Sequence, residues 1–283
     1  MSLSPAAINR PPVGSVRIQT GAIARSDLES AAIVPVDVIA GSPVARSRAL
    51  SVSADGDLRS GLWDCTAGRF RWESTVDESV HVLEGEVTIT SADSQTVTLR
   101  SGDTAYVPLG AATVWEVPDY VRTFATTRAT AGTQPSGSVS IQTGSVDRTD
   151  LEPAPIRRGD VLAGSPVARS LPVSVASDGK FGSWLWDCTA GRFHWNFTVD
   201  EIVHILEGEV TITGADGQTV TLRSGDTAYF PLGAATVWDV PDYVRKLATS
   251  REPALGTLSR GVRWLKRVTR PLRVRLRELS GRA

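Results

Sequence analysis

The sequence predicts an all-β protein made of two tandem copies of one domain, followed by a basic helical extension. The first observation is an internal repeat, in which residues 14–126 match residues 137–249 at a constant offset of 123 positions, with about seven positions in ten identical. This period is far longer than that of solenoid or propeller repeats, so each copy is expected to fold as a domain with its own core. The second observation is a strand-like pattern within each copy, and the third is a helical spacing near the C-terminus.

Short runs of β-branched residues give the strand pattern. In the first copy, residues 87–90 (VTIT) and 96–99 (TVTL) alternate with a period of two, which is typical of strands. In the second copy, the pair Asp216-Gly217 lies between the corresponding runs and suits a tight hairpin. No helical periodicity separates the runs, so the pattern favours a β-sandwich or barrel.

The repeat also sets the predicted domain boundaries. At 283 residues, with 41% hydrophobic and 22% charged residues, the chain has the size and composition expected of roughly two globular domains. We predict a flexible leader at 1–13, a first domain at 14–127, a linker at 128–137, a second domain at 138–251 and a basic amphipathic helical tail at 252–283.

The tail is strongly basic although the whole chain is nearly neutral. Residues 255–283 contain nine Lys or Arg and a single Glu, whereas the formal net charge of the chain is −1, so the remainder is acidic. Apolar residues recur in the tail at steps of three and four, which predicts one face of a helix that Pro271 kinks or splits. These residues are Leu258, Val262, Leu265, Val268, Leu272, Leu276 and Leu279.

A basic amphipathic helix is typical of segments that bind a membrane surface or a partner protein. For residues 255–283 we therefore expect an anionic membrane surface or an acidic protein as partner. Docking on this protein's own barrels and a tail without fixed structure are the alternatives. Nucleic acid is not expected, because no basic sheet with interleaved aromatic residues accompanies the tail.

Cysteine usage and the lack of long apolar runs bear on location. No run approaches the ~20 apolar residues of a spanning helix, and residues 1–13 lack the pattern of a secretory signal. Cys65 and Cys188 occupy equivalent positions and are interpreted as buried small side chains, with a reactive thiol as the alternative. The expected location is cytoplasmic, with attachment to the membrane periphery through the tail as a variant of it.

Two spaced motifs occur once in each copy. In the first copy they read Glu78-x6-Gly85 and Gly102-x5-Pro108-x-Gly110, and the second copy repeats both. With flanking words such as WDCTAGRF and VPDYVR, they resemble the cupin superfamily, in particular its ureidoglycine aminohydrolase-like and ethanolamine-utilisation-like branch. The resemblance covers most of each copy. It implies a bicupin of two RmlC-like jelly-roll barrels, each with a central pocket, and it raises the expectation of a homodimer.

The resemblance also implies positions for a metal. Cupins that bind a divalent ion use a His-x-His pair, a following Glu and a His in the second motif, and such a set suits Mn, Fe, Ni or Zn. In the second copy the four positions correspond to His194, Asn196, Glu201 and Thr236. One hypothesis is a marginal metal site in domain 2. Without metal, His194 and Glu201 would form a general acid–base pair or a hydrogen-bonded pair with no reaction.

In the first copy the same positions correspond to Arg71, Glu73, Glu78 and Thr113. No metal is expected there, because Arg71 places a permanent cation where a metal would stand. We interpret the set as a structural ion-pair cluster, with an anion-binding site as the alternative.

Aromatic and histidine residues near the motifs complete the candidate sites. Tyr229 and Trp238 lie in or near the second motif of copy two, where Trp238 shares the strand face of Thr236 and is interpreted as pocket wall or core. His81 and His204 repeat, but each lies three residues from a motif glutamate. Strand alternation therefore places them outside the barrel lumen.

Two classes of function follow. The first is a bicupin that binds a small polar metabolite in the domain 2 barrel, with a binding or regulatory role and without strong metal-dependent catalysis. The second is an enzyme of the aminohydrolase-like cupin type, metal-dependent or acid–base, that acts from the same pocket through His194 and Glu201. The first is favoured because both copies depart from the metal-binding pattern.

Overall fold

The structure is a computed structural model that describes residues 19–22, 28–31, 33, 37–129 and 140–252. The predicted leader, most of the linker and the predicted basic helix lie outside the described residues. Most of the described residues are in β-strands, with a 3-10 turn at Arg158–Asp160, and the all-β prediction is confirmed. Among them there is no helix with the length and hydropathy needed to cross a membrane.

Nine strands come from the first repeat. They are β1 (Gln19–Ala22), β2 (Glu29–Ala31), β3 (Val38–Gly41), β4 (Ala45–Val52), β5 (Leu58–Glu73), β6 (Asp77–Ser91), β7 (Thr96–Arg100), β8 (Asp103–Val107) and β9 (Ala112–Arg128). Nine equivalent strands come from the second repeat. They are β10 (Gln142–Ser145), β11 (Glu152–Pro153), β12 (Val161–Gly164), β13 (Ala168–Val175), β14 (Phe181–Asn196), β15 (Asp200–Gly214), β16 (Thr219–Arg223), β17 (Asp226–Phe230) and β18 (Ala235–Arg251).

The strands form two antiparallel nine-stranded sheets of the same topology. One runs β10-β8-β6-β9-β5-β4-β2, with β3 on β5 and β7 on β6; the other runs β1-β17-β15-β18-β14-β13-β11, with β12 on β14 and β16 on β15. The long strands β5, β6 and β9, and their counterparts β14, β15 and β18, bend around a central lumen. We call the barrel built around β5, β6 and β9 domain 1, and the barrel built around β14, β15 and β18 domain 2.

Each sheet takes its edge strand from the other repeat. Strand β1 pairs with β17 of domain 2, where Gln19 lies opposite Tyr229. Strand β10 pairs with β8 of domain 1, where Gln142 lies opposite Tyr106. The exchange is reciprocal, so the two barrels are joined through backbone hydrogen bonds as well as through side chains.

The glycine that ends the first motif has a steric role. Gly85 has a φ of 78°, a conformation that side-chain-bearing residues rarely adopt. A Cβ atom on Gly85 would lie 1.9 Å from the backbone oxygen of Tyr120. Its counterpart Gly208 meets Tyr243 in the same way, at 2.0 Å. The motif glycine therefore allows β6 and β9, or β15 and β18, to approach closely.

The long strands have two buried faces. The inner face fills each lumen with apolar side chains, such as Val80, Val82 and Ile89 in domain 1. The outer face packs against the other domain, where Phe124 and Tyr229 share one buried cluster. Burial on both faces makes the two barrels one compact unit over the described residues.

Polar groups cross the contact between the domains. The Ser79 hydroxyl hydrogen-bonds that of Ser183 at 2.7 Å, and the rings of His81 and His204 lie 5.7 Å apart. This confirms that the two histidines lie outside the lumens. Burial lowers the pKa of His81 to about 4 and, together with the charge of His81, that of His204 to about 3.

Candidate functional site

Alternation along β5 determines which residues enter the domain 1 lumen. Phe70 is buried and Trp72 is half-buried against the core. The residues between and after them, Arg71 and Glu73, are exposed and line a surface depression. Arg71 makes no ion pair among the described residues, so the predicted cluster of Arg71, Glu73 and Glu78 is corrected: of the three, Glu78 alone shares the inner strand face with Val80.

Domain 2 repeats this arrangement. Phe193 and Trp195 face the lumen, whereas His194 and Asn196 are exposed on the outer face of β14. Glu201 shares the inner face of β15 with Val203. The structure therefore does not bring His194 and Glu201 together, and the prediction that both face one pocket is corrected.

The side chains of β5 that point into the lumen change from one alternating set to the other partway along the strand. Trp63 and Phe70 both contact Trp115 inside the lumen, although an odd number of positions separates them. A register irregularity between Thr66 and Gly68 supplies the shift, as β-bulges do.

The second-motif residues have mixed positions. The Thr236 hydroxyl donates to the Trp195 carbonyl at 2.8 Å and accepts from Trp238 Nε1 at 3.0 Å; Thr113 makes the same two contacts in domain 1. Trp238 is buried in the lumen core, in agreement with its predicted face. Tyr229 lies instead in the cluster between the domains and hydrogen-bonds Asp200, so its assignment to the pocket is corrected.

Three tryptophans surround the centre of each lumen. In domain 1, Trp63 lies 5.7 Å from Trp115 and 6.5 Å from Trp72 between ring centroids. The equivalent spacings in domain 2 are 5.9 Å from Trp186 to Trp238 and 5.8 Å from Trp186 to Trp195. We call each set of three rings a tryptophan cage.

The cage of domain 2 is occupied by a lysine of the same domain. Lys246 Nζ lies 4.6 Å from the ring centroid of Trp238, 5.0 Å from that of Trp186 and 6.0 Å from that of Trp195. These distances are within the range of cation–π attraction.

The same ammonium group donates a 2.7 Å hydrogen bond to Glu201. The lysine side chain is 3% exposed and the glutamate 14% exposed, so the two charges neutralise each other inside the barrel. Sequence reasoning missed Lys246. The repeat contained a signal that could have found it, because the first copy has Thr123 at the equivalent position.

Domain 1 has the same cage and glutamate without the lysine. Thr123 is buried, and its hydroxyl donates a hydrogen bond to the backbone carbonyl of Trp63. The Glu78 carboxyl group makes no hydrogen bond or ion pair among the described residues. Burial raises the pKa of Glu78 to about 7, yet its side chain keeps part of its accessible surface. Trp63 is also partly exposed, whereas its counterpart Trp186 is 6% exposed.

The two lumens also differ at one end. In domain 2, the rings of Phe197 and Phe230 stack at 4.4 Å and belong to the core. In domain 1, Ser74 and Val107 replace them, and the buried Ser74 hydroxyl has no hydrogen-bond partner among the described residues. Domain 1 thus has smaller side chains at three lumen positions.

The two cysteines also face the lumens and are inert. Cys65 and Cys188 are buried and free. Burial raises the pKa of each thiol to about 12, so neither forms a thiolate near neutral pH.

The fold and the two lumens define the class of the protein as a bicupin. The chain belongs to the family of EutQ-like cupin domains, whose sequence profile matches residues 52–124 and again residues 175–248. The prediction of a tandem cupin is therefore confirmed.

Over 66 residues the chain is 30% identical to the acetate kinase EutQ of Clostridioides difficile (strain 630), a match that covers 23% of this chain and 41% of that protein. The chain thus corresponds to less than half the length of this curated relative.

Solved structures share the fold. A protein of unknown function from Pseudomonas syringae pv. tomato str. DC3000 has a TM-score of 0.58 at 23% identity, over 72% of this chain and 85% of that one. Oxalate decarboxylase of Bacillus subtilis, described with Mn(II) centres, has a TM-score of 0.55 at 13% identity, over 86% of this chain and 79% of that one. At these identities the likeness concerns the fold alone.

The lumen side chains do not suit a metal such as Mn(II). In both barrels aromatic rings occupy the inner positions of β5 and β14, and the nearest carboxylate in domain 2 is paired with an ammonium group. Hard divalent ions require several oxygen or imidazole donors. Among the described residues, no three or more His, Cys, Asp or Glu side chains are grouped closely enough to hold a metal.

Proposed function

We propose that this bicupin binds a small molecule in the lumen of domain 1 and has a binding or regulatory role. The observation that carries the proposal is the difference at one position of the repeat, Lys246 against Thr123. In domain 2 the lysine fills the cage and neutralises Glu201. In domain 1 the cage and Glu78 remain, with a shorter side chain beside them.

The proposed ligand site lies in domain 1 and not in domain 2, where the sequence predicts it. A ligand in domain 2 would have to displace Lys246 from Glu201, and this would leave a buried charge without its partner. Domain 1 imposes no such cost. An apolar, aromatic-lined set of side chains with a few polar groups is also the common lining of a small-molecule site.

Family likeness supports binding in general and names no ligand. The matched segment covers part of the acetate kinase relative. The described residues of these lumens provide no donor set for the manganese described for oxalate decarboxylase. Neither activity is therefore transferred to this chain.

The enzyme alternative receives some support in domain 1 and none in domain 2. His194 lies on the outer face of β14 and Glu201 on the inner face of β15, so the two residues expected to form an acid–base pair are not adjacent. Glu78, whose pKa is about 7, is suited to exchange protons near neutral pH. A proton-transfer enzyme acting through Glu78 is the second candidate function. Loss of turnover with retained affinity in Glu78→Gln would favour it over a pure binder.

A ligand screen with a matched variant tests the proposal. Thermal unfolding of the full chain would be followed with a set of small cationic, neutral and anionic compounds, in parallel with Thr123→Lys. We expect at least one compound to stabilise the wild type and to lose this effect in Thr123→Lys, because the new lysine fills the domain 1 cage. Compounds that stabilise both proteins equally, or a set with no stabilising member, would contradict the proposal.

A further inference from the structure

We infer that the ligand of domain 1 is a small organic ammonium ion, held by the cage of Trp63, Trp72 and Trp115 and by Glu78. The inference rests on the proposed function, because it names the ligand class of the same lumen. The inference depends on a comparison within the molecule, because the equivalent cage of domain 2 holds the ammonium group of Lys246.

The domain 2 lumen shows which chemistry this cage accepts. Three ring faces and one carboxylate surround Lys246 Nζ, and the ammonium group is almost fully removed from water. Aromatic rings attract a cation through their quadrupole, and the attraction grows when the cation is desolvated. The carboxylate adds a charge-assisted hydrogen bond.

The domain 1 cage has nearly the same shape without a lysine. The centroid spacing of Trp72 and Trp115 is 6.4 Å at an interplanar angle of 54°, and the equivalent pair in domain 2 has 6.4 Å and 49°. The rings are therefore arranged for a cation before one arrives. Such preorganisation reduces the ordering cost of binding.

Glu78 sets the charge of the ligand. An anionic ligand would meet the like charge of ionised Glu78, and a neutral apolar ligand would leave this buried carboxyl group without a hydrogen-bond partner. An ammonium ion satisfies Glu78 as Lys246 satisfies Glu201. Among the described residues no basic side chain competes for Glu78, and burial is the cause of its raised pKa.

The size of the ligand follows from the three smaller side chains. Thr123 replaces Lys246 and makes room for a short alkylammonium chain. Ser74 and Val107 replace two phenylalanine rings, which extends the space at one end. The unpartnered Ser74 hydroxyl offers one hydrogen bond to the far end of the ligand. The class is thus a compact primary amine with a short apolar or singly polar arm.

The test uses n-propylammonium as the probe, with 1-propanol and propionate as neutral and anionic controls of matched size. Binding to the full chain would be measured by calorimetry and by tryptophan fluorescence. We expect millimolar or tighter affinity for n-propylammonium, with weakening of about tenfold or more for either control, the size of effect that one charge-assisted contact can give.

Two substitutions of Thr123 serve as matched controls. Thr123→Lys supplies the ammonium group internally, and Thr123→Met fills the same space without charge. Both should lower n-propylammonium affinity by about tenfold or more, since each occupies the ligand's volume. Thermal unfolding of each variant would show that it folds. Equal affinity in wild type and Thr123→Lys would overturn the inference.

The pH dependence gives an independent readout. Because the cation binds the ionised form of Glu78, apparent affinity should rise about tenfold between about pH 6 and about pH 8 and then level off. Glu78→Gln should remove this rise. An affinity that is flat across this range in the wild type would overturn the inference.

The controls also separate failure of the inference from failure of the proposed function. If 1-propanol or propionate binds the wild type but not Thr123→Lys, while n-propylammonium does not bind, the lumen is a ligand site and the ligand class is wrong. If n-propylammonium and both controls fail to bind wild type and no other compound of the screen distinguishes it from Thr123→Lys, both proposals are wrong.

Discussion

The two lumens share one arrangement of tryptophan rings and differ in charge balance and in the size of three side chains. Both have a tryptophan cage of similar spacing and a glutamate on equivalent strands, β6 and β15, yet only domain 2 has a cation among the described residues at its centre. The substitution of lysine by threonine is thus present within one molecule as an internal comparison. It teaches that one substitution decides whether the lumen glutamate is paired within the chain, as Glu201 is with Lys246, or has no side-chain partner among the described residues, as for Glu78.

The first prediction removes the internal cation. Lys246→Met should lower the free energy of unfolding by about 3–5 kcal/mol, because it leaves Glu201 buried without its partner. Urea-induced unfolding would measure the loss. The double variant with Glu201→Gln should recover a large part of it, and additive effects of the two changes would show that the pair is not coupled.

The second prediction concerns the unpaired glutamate of domain 1. The folded-state pKa of Glu78 is raised from 4.5 to about 7, so its neutral form is favoured in the folded protein and stability falls as pH rises through 7. At about pH 8, Glu78→Gln should be more stable than wild type by roughly 2–3 kcal/mol. Near pH 4 the two proteins should unfold alike. A stability difference that does not vary with pH would contradict the assignment.

The sequence predicted the fold of this protein better than the positions of its site residues. The repeat, the strand alternation and the motif glycines predicted a tandem β-fold, because each is a local or periodic signal. The family motif assigned His194 and Asn196 to the lumen, and this assignment was wrong. After the register irregularity in β14 between Thr189 and Gly191, the side chains that face the lumen are those of Phe193 and Trp195.

Other features depended on contacts between distant parts of the chain. Lys246 reaches Glu201 across two paired strands, and no short motif links the two residues. The exchange of β1 and β10 between the sheets depends on pairing between the repeats, and nearly identical repeats give no preference for either partner.

The third prediction concerns the contact between the domains. The pKa values of His81 and His204 are lowered to about 4 and about 3, so the unfolded chain takes up protons that the folded chain does not. Stability should therefore fall as pH decreases from about 6.5 towards 4. His204→Gln should reduce this loss by roughly 2 kcal/mol at about pH 5. Denaturant unfolding over this pH range would check it, and an unchanged slope would contradict the prediction.

The fourth prediction tests the symmetry of the interface and has the smallest effect. Arg128 of domain 1 pairs with Asp178 of domain 2 at 2.8 Å, and Arg251 of domain 2 pairs with Asp55 of domain 1 at 2.9 Å. Both aspartates are about 40% exposed, so Asp178→Asn and Asp55→Asn should each cost about 1 kcal/mol or less. Unequal losses in thermal unfolding would show that the two contacts are not equivalent.

The most direct test of the central claim is a crystal structure of the full chain with n-propylammonium. We predict one ammonium group among Trp63, Trp72 and Trp115, in contact with Glu78, and a domain 2 cage in which Lys246 still binds Glu201. Density for the probe in domain 2 with Lys246 displaced, or a domain 1 cage that excludes the probe at saturating concentration, would contradict the account.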